Sequence, residues 1–206
     1  MNIEERIGNY HKLFPKYPLL YIVSNKRMEG VWYIGKARFR KTGYYGEYPT
    51  NYLARVRSLF PDCKKVLHLF SGIVKDLDSI TFDCNPKLNP TVSGDVREIE
   101  KYFPENTFDL IIADPPYEKK DFEIYGVEPF NKREIVRKCQ CVLKNKGFLV
   151  WLDLMVPPFS NKLWDFVGLI LVTTGTNCRF RGTTILQAKK DTGETFGGGN
   201  ENIGMG

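Results

Sequence analysis

One stretch constrains this chain more than any other: Phe108-Asp109-Leu110-Ile111-Ile112-Ala113, which stops at Asp114-Pro115-Pro116-Tyr117. A short apolar run rich in branched residues makes a buried strand. Proline has no backbone N–H, fixes φ and keeps the preceding residue out of the helical region, so the strand must end there in a rigid turn. In an open α/β sheet, ligands bind outside the carboxyl ends of the strands. The turn therefore offers a carboxylate, a non-donating backbone and an aromatic ring to a flat, amine-bearing group. The plainer alternative is a strand terminator with Asp114 as a turn cap.

The pattern around that strand is one of alternation. Strands are predicted over 66–70, 79–83 and 108–113, with a weak one over 91–94 and another over 148–153. Helices are predicted over 96–102 and 131–143, the second ending at Asn145-Lys146-Gly147 with basic residues in its last turn. Residues 168–173 and 183–189 form a final, antiparallel pair. The fold class is α/β, a Rossmann-like, mainly parallel sheet with a C-terminal antiparallel strand. Residues 63–190 make up this domain. Residues 1–62 read as an N-terminal extension, with strands at 19–23 and 31–34, turn chemistry at Met28-Glu29-Gly30 and a helix over 51–60. The Gly-rich residues 191–206 read as a disordered tail.

Charge is unevenly placed. Residues 1–62 carry 11 Lys or Arg against 5 Asp or Glu, whereas the remainder carries 19 of each. The excess is centred on Lys36, Arg38, Arg40 and Lys41, which interleave with glycines and Tyr44, Tyr45 and Tyr48. Cations for phosphates with rings for bases point to nucleic acid, and a tyrosine-rich loop packed on the domain is the alternative. The five cysteines are scattered and the two histidines, His11 and His68, lie far apart, so no metal site is expected. No apolar run approaches the roughly 18 residues of a membrane span and the N-terminus has no signal pattern, so a cytoplasmic location is expected.

Asp114-Pro115-Pro116-Tyr117 resembles the (Asp/Asn/Ser)-Pro-Pro-(Tyr/Phe) signature of class I S-adenosylmethionine-dependent methyltransferases that act on exocyclic amines of nucleobases. Val66-Leu67-His68-Leu69-Phe70-Ser71-Gly72 is similar to the first motif of that family. The resemblance covers roughly residues 63–190. It implies S-adenosylmethionine as cofactor, with Phe70, Ser71 and Gly72 at its methionine part, Asp83 at the ribose hydroxyls, and Asp95 with the Val96 backbone at its adenine ring. It further implies that Asp114 and the Pro115 carbonyl, beside Pro116, accept hydrogen bonds from the target amine, and that Tyr117 stacks on the base. Phe122 and Tyr125 would complete the base slot, with core packing as the alternative for each. Arg179 and Arg181 would touch phosphate or form surface salt bridges.

The implied activity is methyl transfer to adenine N6 in DNA. Cytosine N4, an RNA base, or an inactive nucleic-acid-binding module are the alternatives, and monomer or homodimer is left open. One departure stands out: only residues 73–82 separate Gly72 from Asp83, too few for a helix and a strand. Either a tight connection replaces the crossover helix or the strands join differently. The cofactor pocket would then be more open on one side, with weak affinity or completion by the extension.

Overall fold

A computed structural model describes residues 1–16, 19–23, 26–34, 47–76, 78–173 and 180–189. Nine strands form one sheet: β1 Leu20–Val23, β2 Arg27–Tyr33, β3 Val66–Leu69, β4 Ile80–Asp83, β5 Val92–Ser93, β6 Phe108–Ala113, β7 Leu143–Asp153, β8 Trp164–Thr173 and β9 Phe180–Ala188. The helices are α1 Ile3–Leu13, α2 Tyr52–Leu59, α3 Ile99–Tyr102, α4 Lys119–Tyr125 and α5 Lys132–Val142. The strand order is β1-β2-β8-β9-β7-β6-β3-β4-β5. From β7 to β5 every pairing is parallel, while β9 runs antiparallel to both β7 and β8. This is the mainly parallel α/β sheet the alternation predicts.

The chain moves outward from β3 to β4 and β5, then returns to the other flank of β3 as β6. That reversal makes the crevice in which open α/β sheets bind ligands. The connection from β3 to β4 is the tight one: the strands are parallel neighbours, Leu67 opposite Ile80 and Leu69 opposite Phe82, and turns replace the helix. A ladder only three residue pairs long keeps the return path short enough for such a link.

Each face of the sheet buries its own apolar cluster, and strand alternation divides the residues between them. Val66, Leu110 and Ile112 face the cluster containing Ile7, Tyr10, Trp32, Tyr52 and Phe60. Leu67, Ile111 and Ala113 face the one containing Ile99, Ile135, Val136 and Trp151. The first cluster runs without a break across positions 62 and 63, and β2 pairs in parallel with β8.

Two local expectations need correction, and one helix lies beyond them. Met28-Glu29-Gly30 is not a turn but the middle of β2. Gly30 lies opposite Leu20, where an added Cβ would meet Leu20 Cδ2 at 2.6 Å, so this glycine serves close strand approach. Helix α5 ends at Val142, with no basic residue in its last turn. Lys144 and Lys146 instead open β7, and Lys144 Nζ reaches Asp109 Oδ1 at 2.6 Å. Finally, α1 was not anticipated, although Asn2 and Glu5 form a reciprocal capping box at its start. Among the described residues no helix is long and apolar enough to cross a membrane.

Helix α1 is fastened by Arg6, which is only 4% exposed. Its guanidinium donates to Leu59 O at 2.9 Å and to Asp62 Oδ1 and Oδ2 at 2.7 and 2.9 Å, and it lies against the rings of Phe60 and Phe148. Asp62 is half-exposed and also meets the N-terminal amine at 3.5 Å, so removing Arg6 costs chiefly the buried guanidinium's bond to Leu59 O and its packing on Phe60 and Phe148. Arg6→Ala is expected to cost about 2 kcal/mol, read from the urea midpoint at pH 7. A loss below about 0.5 kcal/mol would show that α1 adds little to the fold.

Candidate active site

At the carboxyl edge of β3, β4, β5 and β6 lies a cavity of about 330 Å3. Its base is the turn after β3, where Phe70 (φ 57°) and Gly72 (φ 54°) both take left-handed backbone. Glycine enters that region without cost, whereas phenylalanine must be held there. Phe70 stacks on Phe130 (5.4 Å, 14°) and meets Trp151 edge-on (6.2 Å, 88°). Ser71 N donates to Phe82 O at 3.1 Å and Gly72 N to Asp83 Oδ2 at 2.8 Å, so the short crossover is tied directly to β4.

Phe70, Gly72, Asp83, Asp95, Val96 and Asp114 all line this cavity. Asp83 Oδ1 accepts from Asn85 N at 2.9 Å. Each of its oxygens thus holds one backbone donor and keeps a second lone pair for a ligand hydroxyl. Asp95 caps the turn 96–98 by accepting from Arg97 N at 2.8 Å, and its carboxylate pairs with the Arg97 side chain at 2.6 Å. The Arg97 hydrogen bond holds its pKa below the usual value. Tyr125, Gly126, Val127 and Phe130 form the opposite wall. Phe122 is not in that wall: it is 7% exposed and packs edge-on against Phe130 at 5.1 Å. Carboxylates on the rim and rings in the walls suit a ligand that carries hydroxyls and a flat heterocycle.

The Asp-Pro-Pro-Tyr turn sits beside this cavity, lined by Asp114 and Pro116, with Pro115 buried. Asp114 opens partly to the cavity and is otherwise enclosed. Burial pushes its pKa up to about 7, against the opposing pull of the Tyr117 hydrogen bond and the Arg181 charge; Asp153 and Asp121 add to the rise. The Tyr117 hydroxyl donates to Asp114 Oδ1, and Arg181 Nη1 donates to the Tyr117 hydroxyl at 3.4 Å.

The turn's backbone is held from both sides. Tyr117 N and Glu118 N each donate to Asp121 Oδ2 at 3.0 Å. Lys132 Nζ donates to Tyr117 O at 3.2 Å and to Asp153 Oδ2 at 2.6 Å, and Trp151 Nε1 donates to the same Asp153 oxygen at 3.1 Å. Helix α5 and strand β7 thereby fix where the turn lies.

Two further aromatic side chains near Asp114 come from the segment between β2 and β3. Tyr48 and Tyr52 stack in parallel (5.3 Å, 5°), and the Tyr52 hydroxyl shares a 3.1 Å hydrogen bond with Thr183 Oγ1. Burial raises the pKa of the Tyr48 hydroxyl well above its usual value, with Asp114, Tyr52 and Tyr117 adding to it. Among the described residues the hydroxyls of Tyr48 and Ser71 and Nδ1 of His68 are buried without a partner. The His68 ring stands 6.5 Å from that of Tyr48, and its Nε2 lies 3.4 Å from Asp76 Oδ2. Only Tyr48 carried a signal, as a member of the interleaved basic and aromatic segment.

Arg38, Arg40, Lys41 and Arg179 lie outside the described residues. Arg181 is not a surface contact; it is turned inward to Tyr117. The Tyr117 hydroxyl is engaged by Asp114 and Arg181, and the residue is half-buried.

No protein-family model and no curated protein matches the chain. Among solved structures, an S-adenosylmethionine-dependent methyltransferase from Archaeoglobus fulgidus is 20% identical, with a TM-score of 0.36 over 48% of this chain and 50% of that one. An N-methyltransferase, NodS, from Bradyrhizobium japonicum in complex with S-adenosyl-L-homocysteine is 9% identical, with a TM-score of 0.44 over 62% and 79% of the two chains. An rRNA methylase from Streptococcus thermophilus is 12% identical, with a TM-score of 0.42 over 63% and 89%. The chain spans about half the length of the first of these. At such values the likenesses assign neither an activity nor a cofactor.

Proposed function

We propose that this protein transfers a methyl group from S-adenosylmethionine to the exocyclic amine of a nucleobase, adenine N6 in DNA. One observation carries the reading: Asp114, in the Asp-Pro-Pro-Tyr turn, opens onto the same cavity that Gly72, Asp83 and Asp95 line. The amine acceptor and the rim carboxylates are thus neighbours, which is what direct transfer between two bound molecules requires. Asp83 would receive the ribose hydroxyls, Asp95 and the Val96 backbone the adenine edge, and the turn 70–72 the methionine part. S-adenosylmethionine, where bound, supplies an electrophilic methyl on a sulfonium.

The chain's own residues act on the amine. An exocyclic amine is a poor nucleophile because its lone pair is delocalised into the ring. It has two N–H donors, and Asp114 with the Pro115 carbonyl supplies two acceptors. Holding both draws the nitrogen toward tetrahedral geometry, with its lone pair directed at the methyl carbon. With the cofactor bound, the amine nitrogen would take the methyl from the sulfonium, leaving a neutral thioether, and would then give up one proton. Asp114, raised to about 7 by burial, is suited to take that proton near neutral pH. The base must leave a duplex to reach the turn. The basic excess in residues 1–62 supports nucleic acid as the carrier of the amine, whereas Tyr48 packs on the core residue Tyr52.

Labelled cofactor, incubated with the protein and with DNA or RNA and followed by digestion to nucleosides, should put the label on N6-methyldeoxyadenosine. Label on N4-methyldeoxycytidine or on a ribonucleoside would move the substrate but keep the chemistry. Cofactor binding by calorimetry with no labelled nucleoside would leave a binding module.

A further inference from the structure

Strand register places two exposed rings in one row at the edge of the sheet that carries the active site. Tyr33, at the end of β2, lies opposite Thr173 at the end of β8, and Thr173 lies opposite Phe180 at the start of β9. Residues paired across neighbouring strands share a face, so both rings stand on the same side of the sheet with one short side chain between them. Tyr33 is 63% exposed and Phe180 57%, whereas Trp32 and Val172, on the other face, are fully buried. The next row inward, Val31, Leu171, Gly182 and Asp153, runs across to β7, where Lys132 of α5 bonds Asp153. Past α5 that row is open to solvent at Leu171.

Strand β2 is parallel to β8 and β7 to β6, while β9 runs antiparallel to both β8 and β7. The ends of β2, β8 and β6 and the start of β9 thus share one edge, and Asp114 follows β6 on it. Neighbouring strands lie about 4.8 Å apart, so Phe180 stands roughly 10 Å from β6 and Tyr33 roughly 10 Å farther out. Resting on the methyl-transfer reading, we propose that this row is a stacking platform for single-stranded DNA. The bases beside the target adenine lie on Phe180 and Tyr33 while the adenine itself enters the site at Asp114.

The chemistry of the row fits that occupant. Every base offers a π-face to an exposed ring, and the backbone that joins the bases requires cations nearby. In the sequence, Lys36 follows Tyr33 by three positions and Arg179 immediately precedes Phe180. Three residues span at most about 10 Å, so each cation stays near its ring whatever path the chain takes. The one acid on β2, Glu29, is four residues from Tyr33, about 13 Å along the strand. Asp153 is buried and paired with Lys132. An unpaired strand also spares the target base the unstacking that a duplex demands, and it leaves the neighbouring bases free to stack on protein.

Fluorescence anisotropy with a labelled, adenine-containing single-stranded oligonucleotide and the full chain tests the platform. The wild type should bind the single strand about tenfold or more tighter than the same sequence in a duplex. Tyr33→Ala and Phe180→Ala should each weaken binding about fivefold to a hundredfold. Both side chains are exposed and neither lines the cavity, so the urea midpoint and cofactor binding by calorimetry should not move. Ultraviolet crosslinking of the oligonucleotide to the wild-type protein needs no variant and should map to the peptides holding Tyr33 and Phe180. Unchanged affinity in both variants, preference for the duplex, or crosslinks confined to other peptides would each overturn the platform. So would a wild-type dimer that Tyr33→Ala dissociates in sedimentation with DNA affinity intact, because the face would then join two copies. If the oligonucleotide binds as expected but takes no labelled methyl, the methyl-transfer reading falls and the platform stands.

Discussion

Asp114→Asn is expected to lower methyl transfer on the order of 10²- to 10³-fold while making the protein more stable above pH 7. The activity loss follows from replacing an acceptor-only carboxylate by an amide that points one acceptor and one donor group at the amine. The stability gain follows from linkage. The unfolded carboxyl gives up its proton near 3.8, whereas the folded one holds it to about 7. Between those values the folded state binds more protons, so the Asp114 contribution to stability declines as pH rises, and above pH 7 the full cost persists. Asparagine does not titrate. The variant should thus match the wild type near pH 4 and exceed it by about 2–4 kcal/mol at pH 8. The depressed carboxylates Asp62, Asp76, Asp95 and Asp109 act in the opposite direction, but they cancel in the difference between the two proteins. Urea titrations at both pH values decide the matter, and a difference that does not change with pH removes Asp114 as a buried, destabilised acid. In the wild type, kcat/KM should rise as pH passes about 7, since the ionised form is the better acceptor.

The second large effect is expected at Lys132, which touches no substrate in this scheme and acts as a positioning residue. Asp153 is 3% exposed and receives Lys132 Nζ, Trp151 Nε1 and Leu154 N. Lys132→Met leaves that carboxylate buried without its counter-charge, at a cost of about 3–5 kcal/mol. It also removes the donor to Tyr117 O, so the turn carrying Asp114 is loosened. Adding Asp153→Asn to Lys132→Met neutralises the stranded charge and should recover more than half of the stability. Methyl transfer should stay low in the double variant, because the Tyr117 carbonyl still lacks its lysine. Recovery of stability and activity together would show that Lys132 serves the fold only.

Much of the site's first half was legible locally. A branched apolar run closed by Asp-Pro-Pro must be a strand with a rigid end, whatever surrounds it. Gly72 and Asp83, eleven positions apart, left open a tight connection or a different joining of the strands, and the parallel pairing of β3 with β4 is the tight one. The resulting contact, Gly72 N to Asp83 Oδ2, lies within that short segment. Where reading failed locally, a second meaning of the same residue was responsible. Gly30 was taken for a turn because glycine serves turns and close strand approach alike, and only the presence of Leu20 opposite distinguishes the two.

The other half of the site depended on contacts between distant parts of the chain. Tyr52 meets Thr183 across 131 positions, Arg181 meets Tyr117 across 64, and Lys132 meets Asp153 across 21. Alternation along β9 says only that Arg181 and Thr183 share a face. Which face that is depends on register, and a slip of one residue would turn both side chains away from Tyr117 and Tyr52. The pairing of Asp153 with Gly182 and Leu152 with Thr183 settles it. The sequence by itself determined the strand end that presents Asp114, because backbone sterics act within a few residues. Only the tertiary structure decided that Tyr117, Arg181 and the Tyr48–Tyr52 stack surround it, because strand register and packing are properties of the assembled sheet.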